Sequence, residues 1–148
     1  MGSIAGIARR DAKRAPMQQL DAAAISRETG VANDFRGRPG DRQVTLLSAD
    51  AWRLVCSRLQ RDLPWTMRRS NLLIDGMDLP KRIGEVICIG KVRLEVTMEV
   101  APCSRMDEQC SGLLEALSPD WRGGVACTVL QGGDVRIGDA VLVEASSR

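Results

Sequence analysis

Apolar residues recur along this chain in short runs punctuated by glycine. Most runs alternate with polar positions at the period of a strand, and one holds the period of a helix. Ser3–Ala8 predicts a first strand and Arg9–Pro16 a basic, polar loop after it. Leu20–Arg27 reads both ways: its alanines favour helix, its position between loops favours strand. Gly30–Asp41 carries three glycines and a proline and predicts a long exposed loop, followed by a strand over Gln43–Ser48. Ser48 then suits an N-cap, and Trp52, Val55, Cys56 and Leu59 form one apolar face of a helix over Ala49–Gln60. Val86–Ile89 and Val92–Val96 flank Gly90-Lys91, the Gly-X pair of a two-residue hairpin turn. Ser111–Leu117 predicts a short helix that stops at Pro119. Gly124–Leu130 and Ala140–Glu144 complete the strands, joined across Gly132-Gly133 and Gly138-Asp139. No period repeats and no linker interrupts the pattern, so residues 1–148 read as one domain. Its class is mainly β, a barrel or sandwich rather than a parallel α/β sheet.

Composition narrows the chemistry. Histidine is absent, which removes Ser-His-Asp and Cys-His mechanisms and zinc sites that need imidazole. Tyrosine is absent too, and three Trp and one Phe make a poor stacking platform for single-stranded nucleic acid. Arg9–Arg14 is a local basic patch interrupted by Asp11, with no docking motif around it, so nucleic acid is not an expected partner. The longest uncharged stretch, Gly123–Gly133, is eleven residues with four glycines, which predicts no membrane span. Five cysteines without Cys-x-x-Cys spacing, and no export-signal pattern, point to reduced thiols in the cytoplasm. The net charge is +2, but 13 basic and 7 acidic residues fall in Met1–Ile74 against 8 and 12 in the remainder, which allows an anion site in the first half.

Three segments can carry chemistry. Cys103 leaves the apolar hairpin just after Pro102, among polar neighbours, where Arg105 can favour its thiolate. A thiolate there can ligate a soft metal, accept a sulfur atom or attack an electrophile. Cys110 is a weaker candidate as a resolving thiol, while Cys56, Cys88 and Cys127 sit in apolar patterns that mark them as structural. Arg68-Arg69-Ser70-Asn71 places paired guanidiniums before a strand with an amide following, a set suited to phosphate. Asn33–Arg42 adds Arg36, Arg38 and Arg42 to a glycine-bearing loop that can approach a ligand closely.

In this order the segments resemble the MOSC domain, named for the C-terminal domain of molybdenum-cofactor sulfurase. The resemblance is carried by Gly30–Gly37, Arg42–Ser48, Arg69–Gly76, Pro102–Met106, Arg122–Val125, Val129–Gly133 and Gly138-Asp139. It implies a mostly antiparallel β-barrel with a few helices, and a link to the molybdenum cofactor (molybdopterin) or to sulfur transfer. By that resemblance Cys103 is the metal ligand, while Arg69 and Asn71, with Arg36 and Arg42, hold the pterin and its phosphate. Two activities follow as expectations. The first is reduction of N-hydroxylated small molecules with electrons from a partner electron-transfer protein. The second is a sulfur carrier holding a persulfide on Cys103, loaded by a cysteine desulfurase. A third possibility is a ligand- or partner-binding module that keeps the barrel without chemistry. Where family members have Gly-Asp this chain has Asn33-Asp34, so an altered loop backbone is expected there.

Overall fold

The computed structural model describes residues 1–144, so the last four positions of the expected 1–148 domain lie outside the described residues. The first half comprises β1 (Gly2–Arg9), β2 (Gln18–Leu20), β3 (Ala22–Ser26), β4 (Gly30–Val31), β5 (Val44–Ser48), α1 (Ala49–Leu59) and a 3-10 turn over Trp65–Arg68. The second comprises β6 (Leu72–Asp75), β7 (Val86–Ile89), β8 (Val92–Glu99), α2 (Arg105–Gln109), α3 (Leu113–Leu117), a 3-10 turn over Pro119–Trp121, β9 (Val125–Gln131), β10 (Gly133–Arg136) and β11 (Ala140–Val143).

Seven strands close a barrel in the order β11-β7-β8-β9-β5-β6-β1, with β1 returning to β11 through Gly2↔Val141 and Ser3↔Ala140. Every pairing is antiparallel except β5–β6, which α1 connects as a crossover. The ambiguous stretch at 20–27 resolves as strand, and β3 pairs with β4 and β10 in a separate three-stranded sheet. Thus β9 and β11 are not hairpin partners; β10 leaves the barrel between them.

β5 is buried on both of its faces, all five residues included. Leu46 packs into the barrel interior with Ile74, Leu94 and Val125. Leu47 faces a second cluster built from Trp52 and Val55 of α1 and Leu113 and Leu117 of α3. Each such fully buried Leu or Ile contributes about 1.5–3 kcal/mol relative to exposure, so β5 is anchored from both sides. The helix itself starts as predicted: the Ser48 hydroxyl accepts from the Ala51 N–H at 3.1 Å, and Gln60 ends it at φ 53°. The hairpin β7–β8 also forms around Gly90, which takes φ 58°.

These anchors fix one end of the barrel. There the end of β1, the starts of β5 and β6, the Trp65–Arg68 turn and the segment after β8 converge, and there the candidate residues collect.

Candidate functional site

Asn71 ties three segments together just before β6. Its side-chain oxygen accepts from the Thr45 N–H at 3.0 Å, and its Nδ2 donates to the Ala8 carbonyl at 3.1 Å, joining β5 to β1. The amide is buried, and these bonds leave one Nδ2 hydrogen uncommitted. Asn71 is therefore first a girder of this end of the barrel, and only that remaining N–H is free to serve a ligand.

The two arginines preceding it diverge. Arg69 takes φ 59° at the end of the 3-10 turn and is exposed. Arg68 is 9% exposed, and its Nη2 donates to the carbonyls of Val100 (3.0 Å) and Gly123 (2.8 Å). Its Nη1 lies 3.2 Å from the Met106 sulfur, while its Nε is buried with no partner. Room for this side chain depends on Gly123, where an added Cβ would stand 2.4 Å from the Val100 oxygen and 2.9 Å from Arg68 Nη2. Burial pushes the Arg68 pKa down; a charged Cys103 opposes this and Arg42 reinforces it. The guanidinium thus spends its hydrogen bonds on carbonyls and has no carboxylate counter-ion.

The 32–43 loop is fastened rather than simply exposed. Asp34 accepts from the backbone N–H of Arg10 at 3.1 Å and of Arg36 at 3.3 Å. Buried Gln43 donates to the carbonyls of Arg27 (2.7 Å) and Gly37 (3.1 Å). At Gly37 an added Cβ would lie 1.7 Å from the Thr29 oxygen, so only glycine fits there. Asn33 holds φ 65°, the left-handed region that glycine favours and asparagine tolerates, so the substitution for glycine leaves a backbone that a Gly-Asp pair would also adopt. Arg10, in the segment read from sequence only as a basic loop, stacks over the Phe35 ring at 5.7 Å. Its pKa is lowered by burial, then by Arg69 and Arg36, against the opposing pull of Asp34.

Cys103 follows Pro102 and is exposed, in contrast to half-buried Cys56 and Cys88 and buried Cys110 and Cys127. A short helix unexpected from the sequence, α2, starts two residues later, and the Cys103 carbonyl accepts from the Met106 N–H at 2.9 Å. Arg105 is exposed on α2 and does not line the cleft beside the thiol; Arg68 takes that place. Cys110 is buried against Leu113 and Trp52, a poor position for a resolving thiol.

All five residues singled out for the site, Cys103, Arg36, Arg42, Arg69 and Asn71, line one cleft of about 260 Å³. Arg10 and Arg68 also line it, so five arginines face a single carboxylate, Asp34. Such a wall has the chemistry to hold an anion, with guanidinium forks suited to phosphate or carboxylate oxygens and a thiol at one side for a soft partner. Among the described residues there is no cluster of three or more Cys, Asp or Glu able to hold a metal by themselves.

Comparison with known proteins agrees with the barrel. Residues 23–142 match the MOSC domain. The chain belongs to the MOSC domain family. That family is associated with molybdenum-cofactor binding. No curated protein sequence matches the chain. Among solved structures, the MOSC barrel described here is similar to YuaD from Bacillus subtilis, with a TM-score of 0.80 at 19% identity over 97% of this chain and 96% of that one. It is also similar to YiiM from Escherichia coli, with a TM-score of 0.72 at 14% identity over 99% of this chain and 71% of the other. YiiM from Geobacillus stearothermophilus gives 0.69 at 16% identity over 97% and 73%. At these identities the likeness is one of fold. Among the described residues no helix is long and apolar enough to cross a membrane.

Proposed function

We propose that the cleft holds the molybdenum cofactor, with the Cys103 thiolate as the protein's ligand to the metal. The observation that carries this reading is the gathering of an exposed thiol and five arginines around one cleft with a single carboxylate. The donor set fits the group: a soft thiolate suits molybdenum, and planar guanidiniums suit its phosphate. The buried Nε of Arg68 without a partner is a further donor in need of an acceptor. In this reading Arg36, Arg42 and Arg69 hold the phosphate, Arg10 and Arg68 supply fixed positive charge, and the free Nδ2 hydrogen of Asn71 orients the pterin. When bound, the cofactor supplies two-electron redox chemistry to a small N-hydroxylated substrate, with an electron-transfer protein as the electron source.

The test is elemental analysis of protein purified from a host that makes the cofactor. Near-stoichiometric molybdenum, lost in Cys103→Ala, is the expected result; equal molybdenum in both proteins overturns the assignment of Cys103.

A second reading draws on the exposure of Cys103 alone among the five cysteines. In it a cysteine desulfurase transfers its sulfane sulfur to Cys103, giving a persulfide here and a free thiol on the donor. Incubation with a desulfurase and cysteine should then add about 32 Da, one sulfur, to the Cys103 peptide. No gain sinks this reading. Both readings require a reduced thiol, a state that a cytoplasmic location favours.

A further inference from the structure

Beside the thiol cleft lies a second, shallower cavity of about 350 Å³, and the two share Arg36 and Arg42. Lys13, Phe35, Arg38, Pro39 and Gly40 complete its rim, and no carboxylate lines it. Together the two cavities carry seven basic residues and one acidic residue, a local charge of +6 in a chain of net +2, which leaves the rest of the chain at −4. Within this positive field sits Phe35, a large apolar side chain left 38% exposed.

We propose that this face is a docking surface for an acidic protein, seated so that its contact reaches the mouth of the Cys103 cleft. The purpose of such a partner, delivery to or removal from the cleft, rests on the reading of that cleft as the working site; the docking itself does not.

Three features favour an acidic protein segment over other anions. Aromatic residues and arginine are both enriched at protein–protein contacts, where the ring supplies buried area and the charges supply steering. A nucleic-acid duplex offers evenly spaced phosphates and no apolar patch for Phe35 and Pro39. A single-stranded nucleic acid stacks successive bases on several aromatic side chains, and Phe35 is the one aromatic lining either cavity. A small free anion would satisfy the charges and leave Phe35 exposed. Asp34, whose oxygens accept from the backbone of Arg10 and Arg36, offsets only one of the seven positive charges on the face.

The test uses the full chain and a fluorescent Glu/Asp-rich peptide carrying one leucine, with fluorescence anisotropy as readout. Duplex DNA and inorganic pyrophosphate are the competing probes. Lys13→Glu with Arg38→Glu is the informative double variant, because neither residue lines the Cys103 cleft. Lys81→Glu with Arg82→Glu is the charge-matched control at an exposed site outside both cavities. The expected result is peptide binding that weakens as salt rises, falls about tenfold or more in Lys13→Glu/Arg38→Glu, and stays unchanged in the control. Phe35→Ala should weaken it at every salt concentration. Equal loss in both double variants, no peptide binding, tighter binding of DNA, or displacement by millimolar pyrophosphate each overturn the proposal. Molybdenum content is measured on the same proteins. Its absence from wild type refutes the cofactor reading and leaves the anisotropy result standing, so the two failures are distinguishable.

Discussion

Replacing Arg68 by methionine tests whether this end of the barrel is held by a buried cation. The substitution removes two hydrogen bonds from a charged donor, to the carbonyls of Val100 and Gly123 at 3.0 and 2.8 Å. A hydrogen bond to a charged group contributes about 1.5–3 kcal/mol, so their loss alone costs about 3–6 kcal/mol. Against this stands a gain: methionine abolishes the cost of burying a guanidinium with no carboxylate beside it, which recovers about 1–2 kcal/mol. The net expectation is a loss of about 2–4 kcal/mol. Urea unfolding reads it directly. With a slope of about 2 kcal/mol/M, the midpoint should fall by about 1–2 M while the slope stays constant. Arg68→Lys keeps the charge but not the fork that reaches both carbonyls, so it should fall between the two. Burial lowers the Arg68 pKa, yet arginine stays protonated across the working range, so the loss should be the same at mildly acid and mildly alkaline pH. A midpoint equal to or above wild type in Arg68→Met would refute the reasoning and show that desolvation outweighs anchoring.

Other outcomes follow from the same structure. Asn71→Asp removes the only donor to the Ala8 carbonyl from that side chain and sets a carboxylate against it, so thermal unfolding should show a loss of about 2–4 kcal/mol; a variant as stable as wild type would confine Asn71 to ligand binding. Arg53 donates to Asp75 at 2.6 Å and holds that carboxyl below the ordinary carboxylate range. An acid depressed in the folded state adds stability that is present above its unfolded value, about 3.9, and is lost as pH falls through the folded value. In Arg53→Ala the Asp75 NMR titration should return to the ordinary range, and an unmoved titration contradicts the pairing. Brief alkylation followed by peptide mapping should label Cys103 first and leave Cys127 untouched, because Cys127 is fully buried and burial pushes its thiol up to about 12; the reverse order would contradict the exposure of Cys103.

What the chain discloses before folding depends on how local the cause is. Helix α1 was legible because its cap and its apolar face lie within one stretch, as was the β7–β8 hairpin, whose turn residues are its own. The parallel pairing of β5 with β6 was not, since nothing in Val44–Ser48 states the direction of a neighbour that only the α1 crossover sets. Helix α2 escaped notice because it has five residues, no side-chain cap and no buried member. The candidate site shows the same division. Cys103, Arg36, Arg42, Arg69 and Asn71 were named from motif order, and they do share a cleft. Arg68 and Arg69 are indistinguishable as letters, and what separates them is a carbonyl at Gly123, 55 positions away. Arg10 was missed for a similar reason: its significance comes from Phe35 and Asp34, brought over the end of β1 by the folded loop.

The closure of the barrel through Gly2↔Val141 has a consequence for synthesis. As the chain leaves the ribosome, β1 gains β6 along one edge and β2 along the Ile7–Arg9 part of the other, but the Gly2–Ser3 part of that second edge has no partner until β11 emerges. During that interval the open end of β1 presents free backbone donors and acceptors, a template on which nascent chains pair with one another. Translation speed over the second half of the message therefore sets how long each molecule stays open to misassembly, and substitutions that weaken β11 should lower yield before they lower the stability of the finished protein.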